Sequence, residues 1–214
     1  MIDIKLYYFN ELRECCYVLW DETMECVIID PGCKVGNESD RLVKFIEEKE
    51  LKPVKILLTH GHFDHVMGME YISKKWGLRV YVHPDDKPLI EKASLYGSMF
   101  GFDIAPFTGE YVDLRDGDTI TFGKSSLRVI HTPGHSKGGC CFFDEEEATL
   151  FSGDTLFAGS IGRTDNEGGD YDTLIESIMT KLAKLPAGTE VLPGHGLSTT
   201  ISYELSTNPF LEKY

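Results

Sequence analysis

The sequence predicts a layered α/β protein in which two β-rich sets pack as sheets and helices cover their outer faces. Short apolar runs separated by turns fill residues 5–29 and return over residues 111–151. Between them, amphipathic stretches alternate with strand-like runs. A final helix–strand–helix pattern closes the chain.

Residues 5–9, 16–20 and 26–29 read as a meander of strands ended by the turn Asp30-Pro31-Gly32. Residues 37–50 place Leu42, Val43, Phe45 and Ile46 among charges as a helix would, and Pro53 precedes a buried strand-like run over 54–58. A second helix is expected over 65–76, a strand over 79–82, a third helix from Pro84 to about Gly97, and a loop over 101–109. Strands follow at 119–122, 127–130, 140–143 and 149–151. Then come a glycine-rich loop over 161–170, a helix over 171–185, a strand over 190–192 and a helix from Ser198.

Hydrophobic residues make up 42% and charged residues 26% of the 214 residues, the balance of a soluble globular protein rather than a disordered or fibrous one. A net charge of −14 repels phosphate backbones and anionic lipid surfaces, so neither nucleic acid nor a membrane is an expected partner. No stretch supplies the roughly 18 apolar residues of a membrane helix, and the N-terminus lacks a signal peptide's order of charge and hydrophobicity; the expected location is the cytoplasm. Six cysteines without a C-x-x-C spacing read as reduced, buried thiols. In the adjacent pairs Cys15-Cys16 and Cys140-Cys141, strand alternation sends one thiol inward and the other outward.

Chemistry concentrates in Thr59-His60-Gly61-His62-Phe63-Asp64-His65, which leaves an apolar strand and enters a helix. His60 and His62, two apart on an extended strand exit, share a face, while Asp64 and His65 sit where the chain turns. Two more histidines follow strand-like runs in Pro-Gly turns: His135 in Thr132-Pro133-Gly134-His135-Ser136, and His195 in Leu192-Pro193-Gly194-His195-Gly196. Asp154 follows the strand ending at Phe151. Alone, each reads as an ordinary turn residue. Together, the seven divide into His60/His62/His135 and Asp64/His65/His195 with Asp154 as a bridge, two divalent cations each keeping a position for water. Imidazole and carboxylate suit zinc first, with iron and manganese also compatible. Asp30, Thr132 and Ser136 are candidates to orient ligand histidines, whereas His83 and His131 are expected to be structural.

The run Thr59–His65 resembles the T-H-x-H-x-D-H signature of the metallo-β-lactamase fold, and His135, Asp154 and His195 match its later ligand positions in order. Within that superfamily, Cys16-Tyr17-Val18-Leu19, Ile29-Asp30-Pro31-Gly32, Gly153-Asp154-Thr155-Leu156-Phe157 and Thr207-Asn208-Pro209-Phe210-Leu211 resemble the glyoxalase II branch. The resemblance implies an αββα sandwich with its site at one edge. It also implies a binuclear metal-dependent hydrolase of small-molecule thiolesters such as S-D-lactoylglutathione. Residues 1–214 then form one hydrolase domain without the helical C-terminal domain with which longer relatives bind glutathione. Arg163 and Asp165 stand where those enzymes have a lysine and a tyrosine, and Leu197 where they have a second tyrosine. Arg163 is the candidate for a substrate carboxylate.

Cations sharing a bridging water would bring its pKa toward about 7, yielding hydroxide to attack the thiolester carbonyl. Asp64 is the candidate to orient that water and accept its proton. Persulfide dioxygenases keep a similar pattern around one iron. This chain has their Gly162-Arg163-Thr164-Asp165, but Gly159 and Ile161 replace their preceding arginine and cysteine. A metal-binding domain without catalysis, serving a partner protein, is the third reading.

Overall fold

The alternation of the first three apolar runs pairs them as an antiparallel meander: β1 (Asp3–Phe9), β2 (Glu14–Trp20) and β3 (Glu25–Ile29). Their register runs from Asp3 opposite Trp20 to Phe9 opposite Glu14. Helix α1 (Asn37–Glu48) then carries the chain back across the sheet, so β4 (Lys52–Leu57) joins β3 in parallel. β5 (Val80–Val82) and β6 (Tyr111–Asp113) continue the parallel side, giving the order β1-β2-β3-β4-β5-β6. The computed structural model describes residues 1–213.

The second sheet is built mainly from a meander of β7 (Thr119–Phe122), β8 (Ser125–His131), β9 (Cys140–Asp144) and β10 (Thr149–Gly153). A small hairpin, β11 (Leu156–Phe157) with β12 (Ser160–Ile161), precedes helix α2 (Tyr171–Thr180). That helix returns the chain so that β13 (Glu190–Pro193) runs parallel to β10, with β14 (Thr199–Thr200) at the edge before helix α3 (Ile201–Thr207).

Three apolar clusters separate four layers. One packs Leu42, Val43 and Ile46 of α1 against Val18, Ile28 and Ile56; one joins Leu19, Val27 and Leu57 to Leu127, Val129 and Phe142; the third packs Leu174, Ile175 and Ile178 of α2 against Cys141, Leu150 and Val191. The layers are helix, sheet, sheet, helix, as the αββα expectation requires. Covered faces on both sides explain the nearly continuous apolar runs of the strands. They also correct the reading of the cysteine pairs. Cys15 and Cys140 face the layer between the sheets and Cys16 and Cys141 the helical layers, so all four are buried.

Several expected helices are broken. The one expected over 65–76 splits into residues 63–66 and 69–76, because the Gly68 N–H donates to the Pro31 carbonyl (2.9 Å) instead of continuing a helix. A Cβ on Gly68 would lie 2.3 Å from Cys33 Sγ, so only glycine allows the approach. The stretch from Pro84 to Gly97 becomes a 3₁₀ turn at 84–86 and helices at 87–91 and 93–99; Pro84 and Pro88 have no N–H to donate. The helix expected to reach Leu185 ends at Thr180, before a 3₁₀ turn at 182–184. The last helix starts at Ile201 rather than Ser198, where the Thr200 hydroxyl accepts the Tyr203 N–H (3.2 Å). Among the described residues, no helix is long and apolar enough to cross a membrane.

The chain leaves β4, β8, β10 and β13 through four loops that backbone hydrogen bonds tie together. Cys140 N–H reaches the Thr59 carbonyl (2.7 Å), Gly194 N–H the Gly153 carbonyl (2.8 Å), and Cys15 N–H the Gly194 carbonyl (2.8 Å). The buried Tyr17 hydroxyl donates to the Pro193 carbonyl at 2.7 Å, pinning one sheet to the end of the other.

Candidate metal centre

The seven residues singled out from the sequence meet where those loops converge. Nδ1 of His62 lies 2.9 Å from Nε2 of His135, which lies 3.3 Å from Nε2 of His60. Nε2 of His65 lies 3.2 Å from Nε2 of His195, and Oδ2 of Asp64 lies 3.2 Å from that His195 nitrogen. Within each group, His60/His62/His135 and Asp64/His65/His195, the donor atoms lie within 4.8 Å of one another. Asp154 stands between them, with Oδ1 3.5 Å from His65 Nε2 and Oδ2 3.5 Å from His135 Nε2.

The outer partners determine which ring nitrogens carry protons. His135 Nδ1 meets the Arg163 carbonyl at 2.7 Å and His195 Nδ1 the Leu12 carbonyl at 3.1 Å, and a carbonyl can only accept. His65 Nδ1 meets Asp30 Oδ2 at 3.0 Å. The Thr59 hydroxyl spends its proton on Asp30 (2.5 Å), so it accepts from His60 Nδ1 at 3.0 Å. The Nε2 lone pairs of His60, His65, His135 and His195 are thereby aimed inward at one another. Such lone pairs repel at these separations unless positive charge lies between them. Asp154 Oδ1 is buried without a hydrogen-bond partner, an orphan acceptor in the same place. The donor set and the orphan atom fit divalent cations.

Electrostatics agree. Burial opposes charge on His65, but Asp154, Asp64 and Asp30 outweigh it and push the imidazole up to about 10. His195 is raised against burial chiefly by its hydrogen bond to Asp64. Burial would raise the Asp64 carboxyl, and the imidazoles of His65 and His195 instead hold it below the carboxylate range. Burial and the neighbouring histidines lower His60 and bring His62 down to about 4, leaving both neutral and free to donate lone pairs near pH 7. The cluster thus demands positive charge on one side and supplies neutral imidazole on the other.

Of the residues expected to orient ligands, Asp30 is hydrogen-bonded to a histidine of the cluster. Its carboxylate takes the Thr59 N–H (2.7 Å) as well as the Thr59 hydroxyl and His65, from a backbone at φ 49°. A non-glycine residue held there is strained, and strain of this kind clusters at functional sites. The expectation fails for Thr132 and Ser136. The Thr132 hydroxyl meets Thr155 (2.9 Å), and the Ser136 hydroxyl donates to Asp86 (2.7 Å). Residue spacing placed them beside His135, but their hydroxyls are engaged by Thr155 and Asp86 instead. Arg163 acts on His135 through its carbonyl, while its guanidinium pairs with Asp165 at 2.8 and 3.0 Å.

Three residues that shape the site carry little sequence signal. Asp86 accepts from the N–H groups of Gly61 (2.9 Å) and Gly138 (2.6 Å), joining the His60 and His135 loops. The Asn10 amide donates to the carbonyls of Gly32 and Asp64, each at 3.0 Å. Glu14 is buried with neither carboxylate oxygen hydrogen-bonded, 4.0 Å from His65 Nδ1; burial, then Asp30 and Asp64, push its carboxyl well up. A lone acid at the head of an otherwise apolar strand was its one visible sign. His83 and His131, outside the cluster, stack with ring centres 4.1 Å apart.

A family model, that of the Metallo-beta-lactamase superfamily, matches residues 13–195. The chain belongs to this superfamily. Among its metallo-beta-lactamase relatives is a protein of Haemophilus influenzae named hydroxyacylglutathione hydrolase GloC, 36% identical over 212 residues that cover 98% of each chain. Among solved structures, the BLEG-1 B3 metallo-beta-lactamase is 36% identical with a TM-score of 0.89, covering 98% of this chain and 100% of its own. TTHA1623, solved in a di-iron-bound form, is 40% identical with a TM-score of 0.87, covering 97% and 100%. The fold is that of metallo-beta-lactamases and the activity class that of their metallo-hydrolases.

Proposed function

We propose that this metallo-hydrolase cleaves acyl thiolesters, with Asp64, His65 and His195 holding one divalent cation, His60, His62 and His135 a second, and Asp154 reaching both. The observation that carries the reading is the pair of donor groups joined by Asp154 beside a cavity of about 620 Å³ that His62, Asp64, His135, Asp154 and His195 help to line. Gly159 and Ile161, standing where persulfide dioxygenases carry an arginine and a cysteine, speak for hydrolysis over dioxygenation. Similarity to the protein named hydroxyacylglutathione hydrolase supports the thiolester, and the lengths matched there support one hydrolase domain over residues 1–214.

Cations bound at these donors would acidify water, whose pKa a single zinc already takes from about 15.7 to about 7, and would polarise the carbonyl. Asp64, whose carboxylate faces the cavity, orients the attacking water and takes its proton at a carboxylate oxygen. The water oxygen bonds to the carbonyl carbon, the C–S bond breaks, and sulfur leaves with the electron pair; the products are a carboxylic acid and a thiol. Asp30, Thr59 and the carbonyls of Leu12 and Arg163 keep the imidazoles aimed throughout. Arg163 stands at the cavity wall and meets a substrate carboxylate only by exchanging Asp165 for it. Zinc is the first candidate, and iron and manganese satisfy the same donors.

Elemental analysis of protein purified without added metal, with hydrolysis of S-D-lactoylglutathione on the same sample, tests this. About two metal equivalents with thiolester turnover support it. About one iron with oxygen uptake on glutathione persulfide replaces it, as does turnover confined to β-lactams.

A further inference from the structure

The walls of the cavity are more specific than its metal groups. Phe63 stands between His62 and Asp64 in sequence, and its ring stacks on Phe100 at 5.3 Å with planes 15° apart. Leu12, Leu89, Phe157 and Ile161 line the same space. Phe100 is 67% exposed and Leu12 45%, large apolar side chains left in water at the edge of a concave site. Isolated exposed leucines need no explanation, but an exposed aromatic continuous with an apolar pocket marks a place where a ligand covers it.

Charge on the same walls is already satisfied. Arg163 is the one lysine or arginine among the described residues that line the cavity, and its Nε and Nη2 are held by Asp165. Glu167, at the same wall, takes Lys92 at 2.5 Å and the Tyr96 hydroxyl. A carrier bearing several carboxylates therefore finds no unpaired lysine or arginine on these walls, within a chain of net charge −14. A short hydroxylated acyl group would leave the Phe63–Phe100 wall wet.

We infer that the thiolester this site takes carries an extended apolar acyl group, laid from the metal groups along Phe63 and Phe100, and that an anionic thiol carrier is not required. This rests on the thiolester reading above and narrows it to a substrate class. Hydrolysis releases a free apolar carboxylic acid and the thiol, with water supplying the oxygen and protons.

The test uses metal-loaded protein and N-acetylcysteamine thiolesters from acetyl to octanoyl, with S-D-lactoylglutathione alongside. Each added methylene is expected to raise kcat/KM about fourfold until the cavity is filled. Phe100→Ala and Leu89→Ala should each lower the octanoyl-to-acetyl ratio several-fold. Calorimetric binding of non-hydrolysable alkyl thioethers to the metal-free protein should tighten in the same steps. A series flat in chain length, or tenfold faster turnover of S-D-lactoylglutathione than of the octanoyl ester, overturns the acyl inference and leaves the thiolester reading standing. Stepwise thioether binding without turnover of any thiolester supports the apolar site and overturns the thiolester reading. Neither binding nor turnover overturns both.

Discussion

Gly194 precedes His195, and its importance is steric rather than conformational. Its φ does not lie in the left-handed region, so alanine can adopt the backbone without strain. A Cβ there would lie 2.2 Å from Asp154 Oδ1 and 2.8 Å from His65 Cε1. Ordinary contact begins near 3.4 Å, so relieving the closer overlap requires a displacement of 3.4 − 2.2 = 1.2 Å. The backbone cannot easily supply it: Gly194 N–H is bonded to the Gly153 carbonyl and the Gly194 carbonyl to Cys15 N–H, both at 2.8 Å. His65 is held by Asp30, so the shift falls on Asp154, the bridge between the donor groups. Misplacement of about 1 Å in a catalytic constellation costs on the order of 10²-fold. Gly194→Ala is therefore expected to fold, to lose turnover about 10²-fold, and to bind metal more weakly in competition with a chelating dye. Gly188→Ala, where a Cβ meets nothing within 4 Å, is the control and should behave as wild type. Two metals bound at wild-type affinity by Gly194→Ala, with full activity, would refute the bridging placement of Asp154.

Asp64→Asn should weaken metal binding at the His65/His195 group and, even in metal-saturated protein, lose about 10²–10⁴-fold in kcat; near-wild-type turnover at full metal content would remove Asp64 from the proton-accepting role. Asp30→Ala strips the hydrogen bond from His65 Nδ1 and leaves the Thr59 N–H without its acceptor, so metal affinity should fall about 10–100-fold, read by the same dye competition. Asp21 ties the turn after β2 to the β7–β8 hairpin. Burial works against its charge, but donors from Thr23, Lys124 and Ser125 outweigh burial and lower it to about 2. A depressed carboxylate stabilises above its unfolded pKa near 3.9 and loses that stabilisation as pH falls through its folded value. Asp21→Asn should cost about 2 kcal/mol at pH 7 in urea unfolding, with the difference shrinking as pH falls below about 4 and gone only below the folded value of about 2.

The donor cluster was legible because its members are local or punctuated. Four lie within Thr59–His65, and three follow apolar strands in short turns, where loops at strand ends converge. Strand positions were legible for the same reason, since buried runs and turn residues are local features. Helix continuity was not: Gly68 ends a helix only because Pro31 and Cys33, distant in sequence, press against it. Ser136 looked like a partner for His135, yet it serves Asp86, a residue about 50 positions away that no local pattern singles out.

Sequence by itself determined the four-layer class, the seven donors and their division into two groups, because periodicity and ligand chemistry are written in neighbouring residues. Tertiary structure alone decided which nitrogen of His60, His65, His135 and His195 faces inward, since Thr59, Asp30 and the carbonyls of Arg163 and Leu12 set that choice across different loops. It also decided that Glu14 lies unpaired behind His65, and that the apolar wall of Phe63 and Phe100 adjoins the donors. These are contacts between segments far apart along the chain. Their energy depends on direction and distance, which composition and spacing do not encode.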